Sequence, residues 1–181
     1  MKLKILFFVF LLVCSSCALD KRDIISSNFD FADIQLKHAF VEMDSVYKST
    51  DKLLANPRNI DPNGFLRMVA SHDWTSGFFP GNLWYAYQLT GIEDLKKDAV
   101  KFTNYLYPLK DYKGTHDIGF MVNCSYGNAH RLSPADTIRQ ILVQTADNLC
   151  GRFDSNIGWI RSWDFGKWNF PVIIDNMMNL D

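Results

Sequence analysis

Apolar residues recur at helical spacing in several segments of the chain, and this pattern constrains the fold more than any other feature. The clearest segment runs over residues 33–47, where the apolar side chains fall on one face of a predicted helix. No stretch of alternating apolar and polar residues is bounded by hairpin turns, so a sheet is not expected. The predicted fold class is all-α, with further helices at residues 83–89, 95–106, 119–126 and 136–149 and another beginning within 172–180.

Prolines and glycines mark where several of these helices begin and end. Pro80 lies near the start of the second predicted helix, and Gly91 lies just past its end. Pro108 stops the third helix, and Gly151 ends the fifth. The run Ser133-Pro134-x-Asp136 predicts a capped start for that fifth helix.

Long loops separate the predicted helices, at residues 71–80, 111–118 and 152–170. Each loop carries tryptophan or His-Asp residues, which plain connecting segments do not need. The loops recur about every 40 residues, a period that suits helical hairpins. If such hairpins stack side by side, loops at the same end meet on one face, and we expect the functional residues there.

The composition fits a globular protein with a packed core. The 181 residues are 48% hydrophobic, and 19 basic residues stand against 20 acidic ones, which gives a net charge of −1. The hydrophobic fraction excludes global disorder. The near-neutral charge offers no basic surface for a phosphate backbone, so nucleic acid is not expected as a partner. The oligomeric state does not follow from these features.

The first seventeen residues have the organisation of an export signal. Two lysines precede the apolar run Ile5–Val13, which is too short to span a bilayer. Cys17 follows two serines, as in a bacterial lipoprotein box, so we expect lipid attachment there, with simple cleavage nearby as the alternative. The predicted protein is exported, either periplasmic or anchored to a bacterial membrane by lipid, and residues 18–30 form a polar tether.

Two aspartates are candidates for acid–base chemistry. Asp117 lies beside His116 in the loop sequence THDIGF, where it could act on a substrate or cap the following helix. Asp175 lies within the apolar segment VIIDNMMNL, where burial would favour the protonated form that a general acid requires. The alternative for Asp175 is a structural hydrogen bond to a neighbouring loop. Asp117 lies in a polar loop and Asp175 in a predicted apolar helix, so their pKa values should differ. We therefore expect the two aspartates to divide the acid and base roles between them.

The loop tryptophans are candidates for contacts with a sugar. Trp74 and Trp163 lie beside glycine and polar residues, which favours partial exposure and a binding cleft over the protein core. Arg161 is a candidate for binding an anionic ligand, although a solvated surface arginine is the commoner role.

The sequence gives less support for a metal site or a disulfide than for acid–base chemistry. Two His-Asp dipeptides, at residues 72–73 and 116–117, suggest a metal phosphohydrolase. His38 and His130 lack the spacing of further ligands, so no metal is predicted. Cys124 and Cys150 either pair or stay free, and the sequence leaves both outcomes open.

Four motifs taken together resemble a known family. They are WTSGFFPGNLW (74–84), HDIGF (116–120), IRSWDFGKW (160–168) and VIIDNMMNL (172–180). In this order they are similar to the unsaturated glucuronyl hydrolases, glycoside hydrolase family 88, and the similarity extends over residues 30–181. The resemblance implies an (α/α)6 barrel, a toroid of helical hairpins, of which residues 31–181 would form the N-terminal half.

The resemblance also implies a reaction. Such enzymes remove the 4,5-unsaturated uronic acid from the non-reducing end of lyase-generated, glycosaminoglycan-type oligosaccharides by hydrating its vinyl ether. Asp175 matches the general acid/base, and Asp117 matches the second essential aspartate. His116, Trp74 and Trp163 match positions that contact the substrate. No metal or organic cofactor is implied.

The chain also departs from the family, because a full toroid needs about twice the helices predicted here. We therefore expect a truncated product that is unstable or inactive alone. The alternative activity is that of the related unsaturated rhamnogalacturonyl hydrolases. The alternative without catalysis is an exported lipoprotein that binds glycans through its tryptophan loops.

Overall fold

The computed structural model describes residues 21–49 and 56–180. The export signal and Cys17 lie outside these residues, so both stay predictions. The described chain divides into two units between residues 37 and 38. Within the described residues, no helix has both the length and the apolar character needed to cross a membrane.

Helix α1, Lys21–Ser49, crosses the division between the units. Residues 21–30, part of the expected polar tether, are helical. On the first unit's part of α1, Lys37 donates to Asp33 at 2.5 Å. On the second unit's part, Met43 is buried, as the helical spacing predicted.

The second unit, from residue 38 onward, is built of helices. They agree with the predicted all-α class, and the predicted helices fall close to their observed positions. The α-helices are α2 Phe78–Thr90, α3 Glu93–Asn104, α4 Ile118–Val122, α5 Asn128–Leu132 and α6 Asp136–Cys150. A turn of π-helix, Asn123–Gly127, joins α4 to α5, so residues 118–132 form one helical segment.

Helices α2 and α3 form a hairpin joined at Gly91. This glycine adopts the left-handed conformation, with φ of 68°, and its N–H donates to Tyr87 O at 2.8 Å. Such a helix end favours glycine because a Cβ would be strained there. Between the helices, the buried Trp84 Nε1 donates to Thr103 Oγ1 at 3.0 Å. Proline at position 80 lies in the first turn of α2, where a missing N–H costs nothing.

One core cluster lies between the segment 106–126 and helix α6. Tyr107–Asp111 forms a 3₁₀ turn around Pro108, which ends the preceding helix as predicted. Burial of these side chains contributes to the hydrophobic stabilisation of the unit. The buried members are Leu106, Leu109, Ile118, Met121, Val122, Tyr126, Ile141 and Leu149.

Two short antiparallel pairs of strands contradict the expectation that no sheet forms. Strands β1 Asn56–Ile60 and β2 Leu66–Val69 form a hairpin. The Asp61 carboxylate accepts the N–H groups of Asn63 and Phe65 in its loop. Gly64 there has φ of 88°. Strands β3 Phe153–Asp154 and β4 Trp159–Ile160 form the second pair.

Two local predictions about helix ends are also wrong. Helix α6 begins after Ala135, and no side chain caps it, so the capped start expected from the run Ser133-Pro134-x-Asp136 is not found. Asp136 lies in the first turn, where its charge suits the helix dipole. The segment around Asp175 forms a 3₁₀ helix, Ile174–Asn179, where the sequence predicted the start of an α-helix.

Candidate active site

His116 and Asp175 come together although 59 residues separate them in the chain. His116 Nε2 lies 2.9 Å from Asp175 Oδ2 and 3.4 Å from Asp117 Oδ1. The imidazole is almost fully buried, whereas the Asp117 and Asp175 side chains are 22% and 37% exposed. Two carboxylates therefore face the accessible side of the site, with one imidazole behind them.

The other ring nitrogen of His116 is bonded to the backbone of the loop after β4. Its Nδ1 lies 2.8 Å from the carbonyl oxygen of Ser162, and the His116 N–H donates to the same oxygen at 2.8 Å. A β-bridge between Thr115 and Trp163 continues this contact. The loops before α4 and after β4 are thus joined by backbone pairing at the site.

Asp117 lies immediately before α4 but does not cap it. Its carboxylate makes no capping hydrogen bond to the helix and instead accepts a hydrogen bond from Thr115 Oγ1 at 2.7 Å, through Oδ2. The capping alternative is therefore wrong. Because Thr115 binds Oδ2, the Asp117 Oδ1 atom is left on the His116 side.

Asp175 is not buried among the apolar residues that precede and follow it. Ile174 is 86% exposed, and Met177 and Met178 are also exposed. The prediction that apolar burial controls this aspartate is therefore wrong, because the 3₁₀ turn directs its neighbours outward. Contact with His116 is the main interaction of the carboxyl group.

Two buried asparagines fix the turn that carries Asp175. Asn176 Nδ2 donates to Ile160 O at 2.5 Å, and its Oδ1 accepts from Ser162 Oγ at 2.8 Å. Asn179 Oδ1 accepts the Phe120 N–H at 2.9 Å. The turn is thereby bound to the loop after β4 on one side and to α4 on the other.

Gly119 allows α4 to approach this turn closely. A Cβ added there would lie 2.3 Å from the carbonyl oxygen of Asn179. Gly77, before α2, has the same role, since its Cβ would lie 2.3 Å from Met121 O. Because Gly77 and Gly119 lack a Cβ, the segments around residues 77, 119 and 179 can pack closely against one another.

The two candidate tryptophans occupy different places. The Trp163 ring is half-buried, with its centroid 6.2 Å from that of His116, and it stacks on Phe165 at 5.5 Å. Trp74 is 45% exposed and touches Phe78, whose ring in turn lies 6.1 Å from Phe120. Trp163 therefore lies beside the carboxylate pair, and Trp74 connects to α4 through a series of aromatic rings.

Arg161 belongs to an ion-pair cluster next to the site. Its Nε lies 3.1 Å from Asp164 Oδ1 and donates to Trp163 O. Arg152 binds the same carboxylate through both terminal nitrogens, at 3.0 and 3.1 Å. Hydrogen bonding from Arg152 lowers the pKa of Asp164 below its ordinary value. The cluster lines one side of a cavity of about 500 Å³.

His116, Asp117 and Asp175 offer ligand atoms within 4.8 Å of one another, close enough to coordinate a cation. However, Nε2 and Oδ2 already bind each other at hydrogen-bonding distance. The same contact is one along which a proton can be held or moved. Cys124 and Cys150, whose pairing was open, are both free thiols.

Sequence reasoning did not find the residues that support these side chains. Ser162, Asn176 and Asn179 are buried polar residues within the recognised motifs. Their place in those motifs was a usable signal, since asparagines within an apolar run need partners when they are buried.

Comparisons with known proteins find relatives for part of the chain. No protein-family model matches the chain. An unsaturated glucuronyl hydrolase of Formosa agariphila is 46% identical over 116 residues, which are 62% of this chain and 29% of that protein. An unsaturated chondroitin disaccharide hydrolase of Streptococcus agalactiae is 27% identical over 124 residues, 65% of this chain and 31% of that protein.

A solved structure has the same fold. The crystal structure of an unsaturated glucuronyl hydrolase specific for heparin matches with a TM-score of 0.68 and 44% identity, over 83% of this chain and 40% of that one. The chain spans about a third of the length of the relatives it matches. In sequence and in its helical fold, the chain thus matches part of the unsaturated glucuronyl hydrolases.

Proposed function

We propose that this site removes a 4,5-unsaturated uronic acid from the non-reducing end of glycosaminoglycan-type oligosaccharides, by adding water across the vinyl ether. The observation that carries the proposal is the 2.9 Å contact between His116 and Asp175, which joins two of the four motifs at one point. The names of the matched relatives support the substrate class.

Asp175 is the proposed general acid and base. In its protonated form the carboxyl group gives a proton to C4 of the sugar, and positive charge develops at C5, where the ring oxygen stabilises it. The carboxylate then removes a proton from the water that attacks C5. The hemiketal formed in this way opens and releases the remaining saccharide. Partial exposure of Asp175 supports the proposal, because substrate and water must both reach its carboxyl group.

Asp117 is the proposed second aspartate of the reaction. Thr115 binds one carboxylate oxygen, and the other lies 3.4 Å from His116 Nε2. A negative charge held there stabilises positive charge beside it, on the imidazole and on the sugar ring during protonation.

Trp163 and Trp74 are the residues proposed to line the cleft that binds the sugar. Trp163 adjoins the carboxylates and is only half-buried, and Trp74 is nearly half exposed. Exposed indole faces suit the apolar faces of sugar rings.

We also propose export, with a lipid anchor on Cys17, on the basis of the two lysines, the short apolar run and the serines that precede Cys17. Labelled palmitate supplied to a bacterial host expressing the protein should enter the wild type and not Cys17→Ser. Equal labelling of both proteins would contradict the anchor.

Turnover tests the function. The protein expressed from the complete open reading frame that contains this chain is incubated with an unsaturated chondroitin disaccharide, and the ultraviolet absorbance of the double bond is followed. We expect absorbance to fall with the wild type and to stay constant with Asp175→Asn. Asp147→Asn, an exposed aspartate on α6, is the control and should keep its turnover.

Two outcomes would contradict the proposal. One is a wild-type protein that binds the disaccharide without consuming it, which is the behaviour of a glycan-binding module. The other is full turnover by Asp175→Asn, which would remove Asp175 from the acid/base role.

A further inference from the structure

The hydrogen bonds of His116 determine where its protons lie. Nδ1 faces the carbonyl oxygen of Ser162 at 2.8 Å, and a carbonyl oxygen can only accept. Nδ1 therefore carries a hydrogen. This leaves Nε2 as the nitrogen that meets Asp175.

Ser162 is itself held on three sides. It is fully buried, its N–H donates to Pro171 O at 2.8 Å, and its hydroxyl donates to Asn176 Oδ1 at 2.8 Å. The same hydroxyl accepts the Ile173 N–H at 3.2 Å. A carbonyl fixed in this way orients the imidazole, as the outer partners of a metal-bound histidine orient that ring.

The two oxygens of the Asp175 carboxyl group have different surroundings. His116 Nε2 lies 2.9 Å from Oδ2, and Asn179 Nδ2 lies 3.5 Å from the same atom. Among the described residues, no hydrogen bond to Oδ1 is found. Oδ2 is thus the anchored oxygen, and Oδ1 is the oxygen left for the substrate.

Substrate has little access to the imidazole. The His116 side chain is 3% exposed, and both of its nitrogens are engaged inside the protein. A residue that bound the sugar directly would need a free polar edge, and His116 has none.

We propose that His116 is a positioning residue that holds Asp175 by Oδ2, so that Oδ1 makes both proton transfers of the reaction. This inference rests on the proposed function of Asp175. It means that His116 acts on the reaction by positioning Asp175. The family resemblance implies a different role, a direct contact between His116 and the substrate.

Oδ1 loses one proton in the first step of the reaction and regains one in the second. In the first step the Oδ1–H bond breaks, and the electron pair of the C4=C5 double bond forms the new C4–H bond. In the second step a water oxygen forms the C5–O bond, and one proton of that water returns to Oδ1. For Nε2 to donate to Oδ2 while Nδ1 donates to Ser162, the ring must carry a hydrogen on both nitrogens. A hydrogen bond from such a ring to a carboxylate is stronger than one to the neutral acid, so it stabilises Asp175 in the state between the two steps.

Two substitutions of His116 distinguish its contact with Ser162 from its contact with Asp175. In His116→Asn the amide can reach the Ser162 carbonyl but not Asp175, whereas in His116→Gln it can reach toward Asp175. We expect kcat to fall about 100-fold in His116→Asn, the scale of a misplaced catalytic group. KM should change less than about threefold in the same variant, since the substrate does not touch the ring. His116→Gln should recover part of kcat.

A raised KM with unchanged kcat in His116→Asn would overturn the proposal, because it would identify a substrate contact. Equal kcat in the Asn and Gln variants would also overturn it. Loss of turnover in the wild type would instead count against the proposed function itself, and the circular dichroism and melting temperature of each variant show whether it folds.

Nuclear magnetic resonance of the imidazole nitrogens tests the same inference without turnover. Chain labelled with ¹⁵N-histidine is compared with Asp175→Asn, and the His116 signals are assigned by their loss in His116→Asn. We expect a hydrogen on Nδ1 in both proteins and a shifted Nε2 signal in Asp175→Asn. A His116 ring without a hydrogen on Nδ1, or an Nε2 signal that does not respond, would overturn the proposal.

Discussion

Small uncharged side chains hold the acidic residues of the site in position. Ser162, Asn176 and Asn179 are each at least 95% buried, and their polar atoms pair with backbone groups of loops, with the first turn of α4 or with each other. Loop backbone has no helical partner for its N–H and C=O groups, so buried amides and hydroxyls satisfy it. The carboxylates of Asp117 and Asp175 are thereby free to face the accessible side.

At the residue scale, the Asp164 ion pairs predict a stability that depends on pH. A carboxyl group whose pKa is lowered on folding stabilises the fold at pH values above its unfolded pKa. That contribution is lost as the pH falls through the lowered pKa of the folded state. Because Asp164 is 45% exposed, screening limits the contribution to about 1 kcal/mol or less.

Asp164→Asn should therefore reduce the free energy of unfolding at pH 7 and have no effect at a pH below the lowered pKa. Urea denaturation at the two pH values measures both quantities, with Asp147→Asn as the exposed control. A reduction of the same size at both pH values would show that lost packing, and not charge, is responsible.

At the element scale, the site depends on how closely α4 lies against the 3₁₀ turn of Asp175. Asn179 accepts a backbone hydrogen bond from α4, and Gly119 removes the Cβ that would separate the two elements. A π-helical turn follows α4, and in it Ser125 Oγ donates to Met121 O at 2.6 Å. Turns of this kind often lie near functional sites.

Gly119→Ala tests this close approach. The new methyl group would lie 2.3 Å from a backbone oxygen that cannot move without its turn, so we expect a loss of about 1–3 kcal/mol in the free energy of unfolding. Turnover should fall as well, because Asp175 moves with the turn. Thermal denaturation and the disaccharide assay measure the two effects.

Gly151→Ala is the matched control. Its new Cβ would meet no atom closer than 3.4 Å, and the residue has φ of −63°, which alanine adopts freely. Its stability should stay within about 0.5 kcal/mol of the wild type. Equal effects of the two substitutions would contradict the role given to Gly119.

At the scale of the whole molecule, the sequence predicts the helices well because their apolar periodicity reflects the core directly. Leu95, Ala99 and Phe102 were expected on one helix face, and all three are buried. The hairpin of β1 and β2 was not predicted, because Pro57 interrupts its first strand and the Asn63-Gly64 turn signal stands beside no alternating pattern.

The chemistry of the site was only partly predictable. Asp117 and Asp175 were identified from their motifs, but the sequence placed Asp175 in apolar surroundings that the structure does not provide. Which residue approaches Asp175 depends on contacts between segments far apart in the chain. His116 was therefore expected at the substrate and is found behind the carboxylates.

The most direct test of vinyl-ether hydration at this site is to run the reaction in D₂O. Mass spectrometry and nuclear magnetic resonance then determine where deuterium enters the released sugar. Protonation by Asp175 predicts one deuterium at C4 and loss of the double bond with the wild-type protein, and no such product with Asp175→Asn. Release of the uronic acid with its double bond intact and without deuterium at C4 would contradict the account.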